Sequence, residues 1–329
     1  MEEMGIRRGA RLTRASVMEL AMNVDAATAV YGTFDLASGP EGEAGARMIV
    51  IQAHLLDARR LRRGPAMEQA GPLEELSSMQ NRLAWRLLNA LAPGAARSEQ
   101  EFLQNHPPIR LDALESYIRG LFAPALDQKL ALFGQAARLE PVFSPPCYQL
   151  GRLHFERKDY RAAAEWLARV LPSDSHHREA QFLLGLSRYH LTNFAAAREL
   201  FAQLAEAAPL GPVLNNLGLA QFRAADSEAA ATLLRAIESD EADPDYHFNL
   251  AYVYWRRGEY QAAAERLRAV LERTPEDETA ALLLARCEQA SGPRPGEPRL
   301  ENLERLKTAY DDSAWRHLKA ILGPEAPPQ

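Results

Sequence analysis

Small and apolar positions recur along this chain at a fixed interval. Leu150-Gly151, Leu184-Gly185, Leu217-Gly218 and Leu250-Ala251 fall 34, 33 and 33 residues apart. Twelve residues after each small position stand Ala163, Ala197, Ala230 and Ala263. Leu167, Phe201, Leu234 and Leu267 follow those alanines at four, and Val170, Leu204, Ile237 and Val270 at seven. Pro141, Pro209 and Pro275 close several units. Spacings of three and four predict helices, and proline ends them. Small residues facing one another let the two helices of a hairpin approach. A single hairpin of this kind cannot bury its apolar face, so the pattern predicts a stack.

Before residue 92 the period changes. Val17, Leu20, Ala21 and Val24 predict a short helix over 13–24. Strand-like runs cover 31–36, 48–57 and 65–70, the first two separated by the turn-rich ASGPEGEAG. Gly71-Pro72 opens a helix with Leu73, Leu76, Met79, Leu83, Leu87 and Leu91 on one face. Residues 93–109 are a linker in which Ser98 and Glu101 form a capping box. After the repeats, 292–298 (GPRPGEP) is a second linker. Leu300, Leu303, Leu306 or Lys307, and Tyr310 then predict a helix, with Asp312 or Ser313 capping another. The expected domains are 1–92, a linker at 93–109, repeats over 110–291, a linker at 292–298 and capping helices over 299–329. The terminal pair covers the last repeat or docks to a partner.

Composition narrows the function. With hydrophobic residues at 47% and charged residues at 25%, the chain has an ordinary globular balance. The net charge is −6, while residues 1–100 hold twelve arginines and twelve acids, so the acidity lies later. No part has the basic excess of a phosphate-backbone binder, which argues against nucleic acid. No apolar run approaches the ~20 residues of a membrane span. No signal segment is visible, so a cytoplasmic location is expected, or a periplasmic one if a leader lies upstream. Cys147 and Cys287, 140 residues apart in an elongated array, read as separate buried thiols. No phosphate loop, dinucleotide fingerprint, zinc motif or nucleophile elbow occurs. His176-His177 lacks a third ligand and reads as a solvated loop. Catalytic residues, cofactors and metals are not expected.

The segments YQLGRLHFERKDYRAAAEWLARVL and FNLAYVYWRRGEYQAAAERLRAVL resemble the tetratricopeptide repeat (TPR), and the likeness covers about 110–290. Ser227 departs from it, standing where neighbouring units have Tyr160, Phe194 and Tyr260. Residues 110–143 resemble a degenerate first repeat. Residues 3–92 are similar to the later half of the TolB amino-terminal-like or FlgO-like α/β domain, without its opening strand and helix. The fold class implied is mainly α: a TPR α-solenoid of about five hairpins after a small α/β module with a three-stranded antiparallel meander. A sheet lacking its first strand leaves an edge open to self-association.

The TPR resemblance also places the first helices of successive hairpins on a concave face. Carried across position by position, it implies a partner-binding set of Tyr148, Arg152, Phe155, Phe182, Leu186, Tyr189, Asn216, Leu219, Phe222, Asn249, Tyr252, Trp255 and Arg256. Asn216 and Asn249 match the position that contacts peptide in relatives. The lysines of the chaperone-tail carboxylate clamp are missing, which disfavours that ligand. The function implied is a non-enzymatic scaffold capturing a partner's peptide or helix. Its alternatives are a regulatory module with a docking α/β domain, and an envelope assembly factor.

Overall fold

The computed structural model describes residues 13–38, 47–93, 98–294 and 300–322. The turn expected near 39–46 and most of the 292–298 linker lie outside these residues. The chain divides into two compact units, one of residues 1–124 and 138–140, the other of 125–137 and 141–329.

The first unit begins with α1 (Arg14–Asn23), capped by the Thr13 hydroxyl, which accepts from Ser16 N–H. Strands β1 (Thr28–Ser38), β2 (Arg47–Asp57) and β3 (Arg62–Pro72) form an antiparallel sheet in sequence order. Thr28 faces Asp57 at one end of the first pair and Ser38 faces Arg47 at the other. The strands outrun their apolar cores because pairing continues through polar ends. Helix α2 (Leu76–Leu91) lays Leu83 and Leu87 on Ala53, Met67, Ile51 and Leu55, the face that alternation assigns to the core. Val30, Phe34 and Leu36 on the outer strand β1 are exposed. Helix α3 (Glu99–Asn105) starts as the capping box predicts, with the Ser98 hydroxyl accepting from Glu101 N–H. Helix α4 (Leu111–Phe122) belongs to this unit. The unit boundary therefore falls inside the expected first hairpin.

The second unit holds α5 (Leu126–Leu139) as far as residue 137, α6 (Ser144–Glu156), α7 (Tyr160–Leu167), α8 (His177–His190), α9 (Phe194–Ala207), α10 (Gly211–Arg223) and α11 (Ala229–Ser239). Next come α12 (Pro244–Arg257), α13 (Tyr260–Arg273), α14 (Glu278–Glu288) and α15 (Ser313–Leu322). Helices α6/α7, α8/α9, α10/α11 and α12/α13 pair as hairpins, and α6, α8, α10, α12 and α14 form a row of neighbours.

Each first helix ends the same way. Lys158, Thr192, Ala225, Gly258 and Ala290 adopt φ of 62°, 60°, 57°, 82° and 49°. At each, the left-handed residue donates its N–H to the carbonyl three back, and the next residue donates to the carbonyl five back. For Thr192 and Asn193 the acceptors are Tyr189 and Arg188, both at 2.9 Å. This is the Schellman closure. Asp159 and Asn193, which follow the left-handed residue, then cap the second helix through their side chains.

The hairpins close where small residues permit. A Cβ on Gly151 would lie 2.4 Å from Leu167 Cγ, and one on Gly218 would lie 2.6 Å from Leu233 Cγ. The third hairpin thus corrects the expected register. Ala229 and Leu233, both fully buried, hold the places assigned to Ala230 and Leu234. With Ser227 in place of an aromatic anchor, the helix starts at Ala229 and its inner face slips by one residue.

The largest departure is C-terminal. Leucine spacing predicts a helix from Leu300, yet residues 303–312 are irregular and helix resumes only at Ser313. The leucines do pack: Leu300 is buried and Leu303 is partly buried against the α12–α14 core. The main chain between them and α15 makes no helix because the repeat array takes its hydrogen bonds instead.

Candidate functional site

The residues that take those bonds stand on α10 and α12. Asn216 Oδ1 accepts from Lys307 N–H at 2.9 Å, and Asn216 Nδ2 donates to Lys307 O at 2.8 Å. Asn249 repeats the grip on Arg305, accepting from its N–H at 2.8 Å and donating to its carbonyl at 2.9 Å. Asn215 Nδ2 donates to the Arg305 carbonyl at 3.0 Å, and Asn215 Oδ1 accepts from Asn249 Nδ2 at 2.8 Å. A side-chain amide carries a donor and an acceptor side by side, so it matches the N–H and C=O of one extended residue. All three amides are fully buried, and in such a chain each hydrogen bond polarises and strengthens the next.

Residues 300–312 cross the row of first helices in reverse order, and Trp315 beyond them meets the end of α9, a second helix. Tyr252 donates its hydroxyl to Leu300 O at 3.4 Å, Tyr310 packs on Phe182 at 5.3 Å between ring centroids, and Trp315 Nε1 donates to Ala207 O at 3.1 Å.

Charge is matched along this path. Glu304, whose side chain is buried, pairs with Arg223 at 3.0 Å. The Arg305 guanidinium reaches Asp277 at 2.7 Å and Asp245 at 3.3 Å, and lies over the Phe248 ring 3.5 Å from its centroid. Lys307 Nζ reaches Asp243 at 2.7 Å and Asp245 at 2.6 Å. Asp312 pairs with Arg178 at 2.9 Å. Burial works against the Lys307 ammonium, but its hydrogen bonds to Asp243 and Asp245 outweigh that and raise its pKa. Burial raises the Tyr189 hydroxyl, with Glu304 adding to the shift.

The thirteen residues expected at the partner site divide into groups. Asn216, Asn249, Tyr252, Phe182 and Tyr189 touch or face residues 300–312. Trp255 is fully buried and donates its Nε1–H to Ser291 O at 2.8 Å. Leu186 and Leu219 are fully buried, and Phe222 stacks edge-on to Tyr252 at 5.9 Å. Arg256 donates to the Tyr252 hydroxyl at 3.1 Å. Tyr148 stacks on His176 at 4.4 Å, Phe155 meets Tyr160 at 5.6 Å, and Arg152 pairs with Glu156 at 3.8 Å. These last three lie on α6, and the partners named here are residues of the array itself.

Sequence reasoning misses Asp243, Asp245 and Asp277, which look like residues of turns between hairpins. Asp243 and Asp277 are the N-caps of α12 and α14. Their position at the start of first helices is the available signal, because such caps sit along one side of the row. Cys147 and Cys287 are buried and free, and burial pushes the Cys287 thiol up to about 11. Among the described residues no helix is long and apolar enough to cross a membrane.

A tetratricopeptide-repeat family model matches residues 148–212, 215–278 and 248–292. Among solved structures, MamA (residues 41 to end) from Desulfovibrio magneticus RS-1 is 22% identical, with 52% of this chain and 99% of that one covered and a TM-score of 0.46. YrrB, described as a TPR protein with an unusual peptide-binding site, is 15% identical over 59% of this chain and 98% of that one, with a TM-score of 0.48. A thermophilic TPR protein of Thermus thermophilus is 20% identical over 54% and 98%, with a TM-score of 0.38. No curated protein matches the sequence. The family model spans the four hairpins of α6 to α13 and runs on into α14, each hairpin closed by the same turn, so this part of the chain is a tetratricopeptide-repeat array.

Proposed function

We propose that this chain is a non-enzymatic interaction scaffold whose row of first helices takes a partner's peptide in extended form, gripping the main chain first. Tetratricopeptide arrays are protein-interaction scaffolds, and the finer reading rests on one observation. Asn216 and Asn249 each hold both the N–H and the C=O of a single extended residue. A helical ligand is disfavoured by the same geometry, since its main-chain groups are already paired with one another. Each amide–peptide hydrogen bond contributes about 1 kcal/mol net, so two bidentate grips supply several kcal/mol independently of ligand sequence.

The structure alters how the reading is tested. Tyr252 and Trp255 are fully buried, and truncating either costs about 3–5 kcal/mol of core packing, so their loss reports on folding. Asn216→Ala with Asn249→Ala is the cleaner change. A displayed library of unstructured dodecapeptides should be enriched by a chain carrying Arg305→Glu and Lys307→Glu, which frees the groove of its own segment, and left unenriched when the two asparagine changes are added, both keeping full helical circular dichroism. Equal enrichment by the two proteins would show that the amides do not hold the ligand.

A further inference from the structure

Main-chain grips carry no sequence information, so selection has to come from side chains, and here they are ionic. Two acids, Asp243 and Asp277, stand at helix N-caps, where the positive end of the helix dipole favours a carboxylate. The third, Asp245, lies in the first turn of α12 and is shared by Arg305 and Lys307. Three carboxylates in one place repel one another unless cations enter. The two cations are placed differently. The Arg305 plane stacks on Phe248 while bridging Asp245 and Asp277. Lys307 brings a point charge between Asp243 and Asp245. One residue earlier in the segment the sign reverses, and the Glu304 carboxylate meets Arg223, whose guanidinium lies 4.5 Å from the centre of the Phe194 ring.

We propose that the groove selects an extended ligand whose residues run acid, base, any residue, base, and that residues 303–312 are the tethered form of that ligand, which a partner segment of the same chemistry displaces. This rests on the main-chain reading given above. Residues 303–310 belong to no helix or strand, so leaving the groove breaks no secondary structure. The Arg305 and Lys307 side chains keep 25% and 22% of their surface open to solvent, so a competitor can reach the ion pairs one at a time. A short Gly/Pro-containing connection holds the tether at an effective concentration of order mM, which weakens an outside ligand without excluding it.

A fluorescent peptide with the sequence of residues 300–312 tests this by anisotropy. It is titrated with nanomolar full-length protein, so that one copy's tether does not fill another's groove. Arg305→Glu with Lys307→Glu opens the groove, and Lys307→Ala opens it more gently should the double charge reversal disturb folding. The peptide should bind the opened chains at least ~10-fold more tightly than wild type. A peptide with both bases replaced by glutamate should bind them at least ~10-fold more weakly than the original. Equal affinity for wild-type and opened chains, or equal affinity of the two peptides, overturns the proposal. Adding Asn216→Ala and Asn249→Ala to the opened chain separates the two readings. Binding that survives those changes with its charge preference intact removes the main-chain reading alone, and binding that is lost with them but ignores charge removes this one alone.

Discussion

Thr192 holds φ of 60°, a conformation that costs an L-residue roughly 1–2 kcal/mol and is worst for a β-branched one. Its N–H closes the Schellman turn of α8, and its side chain is exposed. Thr192→Gly should therefore stabilise the fold by about 0.5–1 kcal/mol once glycine's greater unfolded-state entropy is subtracted, seen as a higher midpoint of thermal unfolding. A lower midpoint would mean that the threonine side chain contributes something the turn geometry does not reveal. This position shows where the sequence falls silent. Only Gly258 among the five left-handed residues announces itself, while Lys158, Thr192, Ala225 and Ala290 are ordinary residues forced into place by the hairpin on either side. The asparagines were legible because the family register singles out their positions. The acids beside them were not, since a capping aspartate and one that also pairs with a distant cation look alike in one dimension.

At the scale of elements, the repeat was legible and its local exceptions were not. The glycine register reports a close approach directly. A Cβ on Gly151 would meet Leu167 at Cγ, at Cδ2 and, at 3.2 Å, at its backbone nitrogen. Gly151→Ala gains about 1 kcal/mol of helix propensity and loses about 1–3 kcal/mol to overpacking, so thermal unfolding should move down. An upward shift would mean that α7 can retreat at no cost. In the third hairpin the absent aromatic at Ser227 moved the inner face from Ala230 and Leu234 to Ala229 and Leu233, a shift of one residue that spacing alone does not announce. The misread helix after Leu300 has a different cause. Its leucine spacing and helix-forming residues fit a helix well, but propensity is a weak prior against tertiary partners. Asn216 and Asn249 supply Arg305 and Lys307 with the main-chain bonds a helix would have given them, and the groove adds ion pairs that a helix would have turned away from.

At the scale of the molecule, the excess acidity of the later sequence gains a location. Part of it lies at the starts of α12 and α14, facing cations carried by the same chain. The array is thus already engaged with an extended segment. The most direct measurement is amide hydrogen exchange at Arg305 and Lys307 in the full-length protein. Both N–H groups should exchange as slowly as those of the neighbouring α12. With Asn216→Ala and Asn249→Ala they should exchange at unstructured-chain rates, while the amides of α8 to α13 stay protected. Fast exchange in the wild type, or protection that survives loss of both asparagines, would contradict the claim that these side chains hold the main chain of an extended segment.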